Sequence, residues 1–275
     1  MPRAAVLGSP IEHSLSPVLH EAAYAALGLA GWSYGRHRVE REELPGFVAA
    51  LTHGGEDWRG LSLTMPLKEV AFEVAAEISQ TARRTGAINT LVQEPAGTWH
   101  GHNTDVHGIV AALSSRLEHP PTRAVVLGGG ATARSALEAL RELDVEQVAV
   151  ALRTPAKGNE LADETGGGER LHVLPLGEWA TRLGDADVVV STLPPPGGAA
   201  AAQALSGVRA DGVVLLDVVY ADWPTPLARA AEERGAAVLS GAWMLVHQAA
   251  EQVRLMTGHE PPVEAMLEAV RARIG

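Results

Sequence analysis

The chain has 275 residues, enough for two domains at roughly 100–200 residues each. Its 46% hydrophobic and 20% charged content is that of a folded globular protein and excludes intrinsic disorder. With 22 Lys+Arg against 33 Asp+Glu the formal net charge is −11, which repels a phosphate backbone and argues against nucleic acid as a general partner. Cysteine is absent, which removes disulfides, thiolate metal sites and cysteine nucleophiles together and suits a reducing compartment. No uninterrupted apolar stretch approaches the ~20 residues that span a bilayer, and the apolar run before Ser9-Pro10 is short for a signal peptide. The expectation is therefore a soluble, cytoplasmic protein.

The front of the chain alternates short strands and helices. Periodicity predicts a strand over Ala4–Leu7 and a helix over Val18–Leu27 with Leu19, Ala22, Ala23 and Ala26 on one face. It then predicts a strand at Leu61–Thr64, a helix over Leu67–Ile78 and a strand over Ala87–Val92. A helix follows over Val106–Leu117, broken by Glu118-His119-Pro120-Pro121. Beyond that break the apolar runs Ala124–Leu127, Val148–Leu152, Val188–Thr192 and Val213–Asp217 read as strands buried on both faces. With helices between them, such as Ala133–Leu143, they predict a parallel, doubly wound sheet. The Pro/Gly/Ala segment Pro194–Ala202 reads as a loop, and the chain from Trp243 onward as helical.

Gly128-Gly129-Gly130-Ala131-Thr132-Ala133 fits G-x-G-x-x-A between a strand and a helix. There glycines let the backbone approach a pyrophosphate and the helix amino terminus supplies N–H donors. The next strand ends in Leu152-Arg153-Thr154-Pro155-Ala156-Lys157, without the acid that grips a ribose in NAD sites. Arg153 can pair with a 2′-phosphate, Lys157 adds charge and Thr154 a hydrogen bond, so NADP is favoured over NAD; the plainer alternative is a solvated basic loop.

Only two of the 22 basic residues are lysines, Lys68 and Lys157. Arginine cannot exchange a proton near neutrality, so these two positions draw attention. Pro66 reads as opening a helix with Lys68 in its first turn, where the helix dipole disfavours a cation; a plain surface lysine is the other reading. Ser14 and Ser16 stand before a helix and can together hold a carboxylate, although Ser16-Pro17 also fits a simple helix cap. Asn103-Thr104-Asp105 precedes the helix from Val106, so Thr104 or Asp105 can be its cap, and Asn89 can be a turn residue. His13, His20, His102 and His107 lack metal-ligand spacing, and no metal is expected.

Taken in order, Ser14-x-Ser16, Leu63-Thr64-x-Pro66-x-Lys68, Gly86-Ala87-Ile88-Asn89-Thr90, Asn103-Thr104-Asp105, the glycine turn and Arg153-Thr154 resemble the shikimate dehydrogenases. Asp217-x-x-Tyr220, Thr225-Pro226-Leu227 and Gly241-x-x-Met244-Leu245-Val246-x-Gln248-Ala249 extend the resemblance almost to the end. It implies an α/β substrate domain over residues 1–105, completed by helices of about 242–275, and a Rossmann-type NADP domain over 106–241, with the site in the cleft between them.

The same resemblance implies that Ser14 and Ser16 bind the carboxylate of shikimate, with Thr64 and Tyr220 in the same pocket. Asn89 and Gln248 bind ring hydroxyls, and Lys68 and Asp105 form the catalytic pair, leaving open which of the two moves the proton. Gly128, Gly129, Gly130, Ala131, Arg153, Thr154, Lys157 and Thr192 hold the coenzyme, and Gly241 and Met244 border its nicotinamide. The expected reaction is reversible NADPH-dependent reduction of 3-dehydroshikimate, by a monomer or homodimer. Ser62 stands where the family commonly has Asn, Leu152 where an Asn often precedes Arg-Thr, and Val253 and Met256 where aromatics are usual. These departures keep open a quinate/shikimate or aminoshikimate dehydrogenase using NAD or NADP. A non-catalytic NADP-binding sensor of the same fold is the alternative of another class.

Overall fold

A computed structural model describes residues 1–158, 161 and 170–274. The chain divides into two compact units, Met1–Thr104 with Val246–Gly275, and Asp105–Leu245.

In the first unit the strands are β1 (Arg3–Gly8), β2 (Ser33–Arg38), β3 (Trp58–Leu63), β4 (Glu77–Ile78), β5 (Thr90–Gln93) and β6 (Trp99–His102). They form one six-stranded sheet in the order β2-β1-β3-β5-β6-β4, parallel across β2-β1-β3 and antiparallel across β3-β5-β6. Strand β1 is apolar at every inner position because both its faces are covered. Ala5 and Leu7 join the cluster of Leu44, Val48, Leu61 and Leu91, whereas Ala4 and Val6 join Tyr24, Tyr34 and Met256. The helices are α1 (Ser16–Ala26), α2 (Leu44–His53) and α3 (Gln80–Thr85).

The second unit opens with α4 (Asp105–Ser114), followed by β7 (Arg123–Leu127), α5 (Ala131–Glu142), β8 (Gln147–Leu152), β9 (Leu171–Pro175) and β10 (Val188–Ser191). Then come α6 (Pro195–Gln203), β11 (Val214–Asp217), α7 (Pro226–Glu232) and β12 (Ala237–Ser240). The sheet order is β12-β11-β10-β7-β8-β9, and every pairing is parallel. Read from the other edge this is the 3-2-1-4-5-6 order of dinucleotide-binding sheets, whose order reverses between β7 and β10. Val126, Val150 and Val190 face α4 and α5, while Val125, Val189 and Leu215 face Trp179, Ala201 and Leu227 on the other side. That two-sided burial is why these strands read as continuous apolar runs.

Helix α8 (Gly241–Thr257) starts in the second unit and ends in the first, where α9 (Val263–Ile274) follows.

Three expectations need correction. Leu67–Ile78 is not a helix: it holds a 3-10 turn at Val70–Glu73 and the short β4. The Lys68 carbonyl accepts from Ile88 N–H at 2.8 Å, so the backbone is drawn into a contact across the unit instead of an i→i+4 ladder. Leu67, Val70 and Ala71 still bury together, which is the helical spacing the sequence displays. Lys68 therefore does not sit in the first turn of an α-helix, and no helix dipole opposes its charge there. Second, Pro194–Ala202 is not a loop: Pro195–Gln203 is helical, since prolines in a first turn lack only N–H groups that have no intrahelical partner, and alanines follow. Third, Ser16 is not a helix cap: Leu15 holds that position, and Ser16 is the first helical residue.

Candidate active site

The Ser14 and Ser16 hydroxyls lie 3.2 Å apart, and Ser14 Oγ also accepts from the Ser16 amide at 3.3 Å. A pair of adjacent hydroxyls at the start of α1 can be shared by the two oxygens of a carboxylate. Thr64 follows β3, its amide donating to the Leu7 carbonyl at 3.0 Å. Lys68 is half-buried in the turn beyond it.

Behind these residues runs a buried chain of side-chain hydrogen bonds whose direction is fixed from one end. The Thr104 N–H donates to Asn89 Oδ1 at 2.8 Å, so that oxygen is an acceptor. The Thr90 hydroxyl, 2.8 Å from the same oxygen, must then donate its hydrogen there. With its hydrogen committed, Thr90 Oγ1 accepts at 2.9 Å from the Gln252 amide nitrogen. Gln252 Oε1 consequently faces the Ser62 hydroxyl at 2.8 Å and His20 Nε2 at 3.2 Å, and both donate to it. Ser62 in turn accepts from the Tyr34 hydroxyl at 2.6 Å. Burial raises the Tyr34 pKa, keeping this donor protonated.

His20 stacks on the Tyr34 ring, centroids 3.9 Å apart and planes at 13°. It is fully buried, and desolvation lowers its pKa to about 3 despite the hydrogen bond to Gln252. It is therefore the neutral Nε2–H tautomer, and Nδ1 is left as a bare acceptor with no partner among the described residues.

At the other end, Asn89 Nδ2 donates to Thr104 Oγ1 at 2.9 Å and lies 3.4 Å from Gln248 Oε1. Gln248 and Gln252 stand one turn apart on α8 and are both buried. The residue after Thr104 is Asp105, buried in the first turn of α4. Thr104 stands directly before α4 and Asn89 directly before β5, where a cap and a strand-end residue would stand, and both also belong to this network.

In the second unit the glycine turn lies at the point where strand order reverses. Gly128 has φ +112°, and a Cβ there would stand 2.5 Å from Thr192 Oγ1, which itself donates to the Leu127 carbonyl at 2.9 Å. Helix α5 starts at Ala131 with Gly130 before it and no side-chain cap, leaving its first amides to an outside acceptor. A bare backbone turn against a helix amino terminus fits a pyrophosphate. Arg153 and Thr154 are exposed just past β8; the side chain of Lys157 lies outside the described residues.

Asp217 ends β11 and is buried, accepting from Thr225 Oγ1 at 2.7 Å and Val219 N–H at 3.3 Å; desolvation raises its pKa. It thereby ties down both ends of the loop that carries Tyr220, a half-buried residue. Gly241 packs so closely on that loop that a Cβ would fall 2.0 Å from the Val218 carbonyl oxygen, which demands glycine. Met244 packs in the apolar core of the second unit. Among the described residues no group of His, Asp or Glu is arranged to hold a metal, and no helix is long and apolar enough to cross a membrane.

Residues 6–91 match the shikimate dehydrogenase substrate binding domain, 112–212 the shikimate/quinate 5-dehydrogenase family, and 241–271 the shikimate 5′-dehydrogenase C-terminal domain. The chain is 36% identical over 271 residues to the shikimate dehydrogenase (NADP(+)) of Sinorhizobium fredii, covering 97% of this chain and 93% of that one. This chain belongs to the shikimate dehydrogenase family. Among solved structures, the Mycobacterium tuberculosis shikimate dehydrogenase superposes with a TM-score of 0.88 at 40% identity, over 99% of this chain and 100% of that one. The Thermus thermophilus shikimate 5-dehydrogenase in complex with NADP(H) and shikimate gives 0.85 at 34% identity over the whole of both chains.

Sequence reasoning did not single out Gln252, Tyr34 or His20 as members of this buried network, met Thr90 only as the end of a motif, and met Ser62 only as a departure from the family pattern. The i, i+4 spacing of Gln248 and Gln252 was a usable signal for one of them. Tyr34 gave none, because Ser33–Arg38 lacks the apolar alternation of a strand.

Proposed function

We propose that this chain catalyses the reversible NADPH-dependent reduction of 3-dehydroshikimate to shikimate. The observation that carries the reading is the pre-set amide cluster of Asn89, Thr104 and Gln248 immediately ahead of a buried Asp105, in a chain related to NADP-dependent shikimate dehydrogenases along nearly its full length. Ser14 and Ser16 hold the substrate carboxylate through neutral hydrogen bonds, with Thr64 and Tyr220 beside it. Asn89 and Gln248 bind ring hydroxyls, their orientation paid for in advance by the buried network.

Lys68 donates the proton that the C3 oxygen gains, and Asp105 orients Lys68 and anchors that oxygen. When bound, NADPH supplies the hydride. Gly128, Gly129, Gly130 and Ala131 present backbone amides to its pyrophosphate; Arg153, Thr154 and Lys157 meet the 2′-phosphate; Thr192 keeps the turn shaped; Gly241 and Met244 border the nicotinamide. The cysteine-free, acidic composition suits a cytoplasmic enzyme.

The test is absorbance-monitored coenzyme reduction with shikimate and with quinate, supplying NADP and NAD separately. Shikimate with NADP is expected to turn over fastest. Preference for quinate would shift the reading to a quinate dehydrogenase, and tight NADPH binding without turnover of either acid would make the protein a sensor.

A further inference from the structure

We propose that Gln252 is a positioning residue for Asn89: through Thr90 it adds a second hold on the Asn89 Oδ1 that the Thr104 amide already orients, and so stiffens the amide where it meets the substrate. The proposal rests on the reading of Asn89 as a ring-hydroxyl ligand. Gln252 does not touch that ligand position; it acts two hydrogen bonds away. Its amide nitrogen donates to Thr90 Oγ1 at 2.9 Å, and Thr90 donates to Asn89 Oδ1 at 2.8 Å. Its carbonyl oxygen is held from behind by Ser62 and by His20 Nε2. All five residues are at most 4% exposed, so water does not substitute for a lost bond. A primary amide is the side chain that satisfies both ends, since the Thr90 side needs a donor and the Ser62–His20 side an acceptor.

Gln252→Glu keeps the shape and removes the donor. The Thr90 hydroxyl then turns to the new carboxylate, a stronger acceptor, and Asn89 Oδ1 loses the Thr90 donor while keeping the Thr104 amide. Thr90→Val breaks the same link without altering Gln252, and Thr90→Ser keeps the hydroxyl. These two keep the proposal testable if Gln252→Glu folds poorly.

Two readouts decide it. The first is kcat/KM for shikimate against analogues lacking a ring hydroxyl other than the reacting one. Gln252→Glu and Thr90→Val are expected to lower kcat/KM for shikimate about tenfold, mainly through KM, and to shrink the penalty for the missing hydroxyl by a similar factor. NADP affinity is expected to stay unchanged, and Thr90→Ser to behave as wild type. The second readout needs no turnover: hydrogen exchange of the Asn89 side-chain amide by NMR, slow in wild type and in Thr90→Ser, and at least tenfold faster in the other two variants. Variants that lose thermal stability but keep both the hydroxyl penalty and slow Asn89 exchange would overturn the proposal. Absence of wild-type turnover would instead overturn the proposed reaction, and the exchange measurement would still decide the role of Gln252.

Discussion

Thr192 Oγ1 occupies the place where a side chain on Gly128 would begin, 2.5 Å from the ideal Cβ position. The two residues directly follow β7 and β10, adjacent parallel strands of the second unit, and Thr192 is pinned there by its hydrogen bond to Leu127. Gly128→Ala therefore meets both a positive φ and a neighbour that cannot retreat. It is expected to cost about 1–3 kcal/mol of stability and to weaken NADP binding by roughly tenfold or more. Gly130→Ala, with open space at its Cβ position and an ordinary φ, is the control. Denaturant melts and NADP titrations of the two variants check the contrast; equal effects would remove the steric argument.

Lys68→Ala is expected to lower kcat by about 10²–10⁴-fold with little change in KM, because a proton donor acts in the transition state and not in substrate binding. Steady-state kinetics at saturating NADP measure it. An unchanged kcat would end the catalytic role of Lys68.

Arg153→Ala is expected to weaken NADP by about 1.5–3 kcal/mol and to leave NAD almost untouched, because in the proposed site its exposed guanidinium pairs with the 2′-phosphate that NAD lacks. Isothermal titration with both coenzymes decides it, and equal losses would count against the assignment.

His20 makes stability depend on pH in one direction. Above its unfolded pKa near 6.5 the imidazole is neutral in both states and contributes nothing. As pH falls from about 6.5 towards about 3, the unfolded chain binds a proton that the folded chain refuses, so stability declines. Between pH 7.5 and 5.0 that loss is roughly 2 kcal/mol, from about 1.4 kcal/mol per pH unit over the interval below 6.5. Urea unfolding of wild type and His20→Gln at the two pH values isolates it: the variant, although less stable at pH 7.5, is expected to show a smaller pH dependence. Identical dependence in both proteins would mean the buried imidazole titrates normally.

The second unit was readable because its physics is local and repetitive. Strands covered on both faces become runs such as Val188-Val189-Val190, and the turn after Leu127 shows its glycines directly. The first unit was less readable. Strand β2 carries Tyr34 in an otherwise polar stretch, and Leu67–Ile78 has helical spacing without a helix because Ile88 captures the Lys68 carbonyl.

By itself the sequence determined which chemical groups the protein carries and in what order: two hydroxyls at the start of a helix, a rare lysine, a glycine turn without a following acid. Only the tertiary structure decided which of them meet and which way their hydrogen bonds run. Gln252 and Thr90 are 162 residues apart, and Thr192 and Leu127 are 65 apart. No local pattern encodes such pairs, because strand order and the packing of α8 set their separation, and one backbone N–H at Thr104 sets the polarity of the whole buried network.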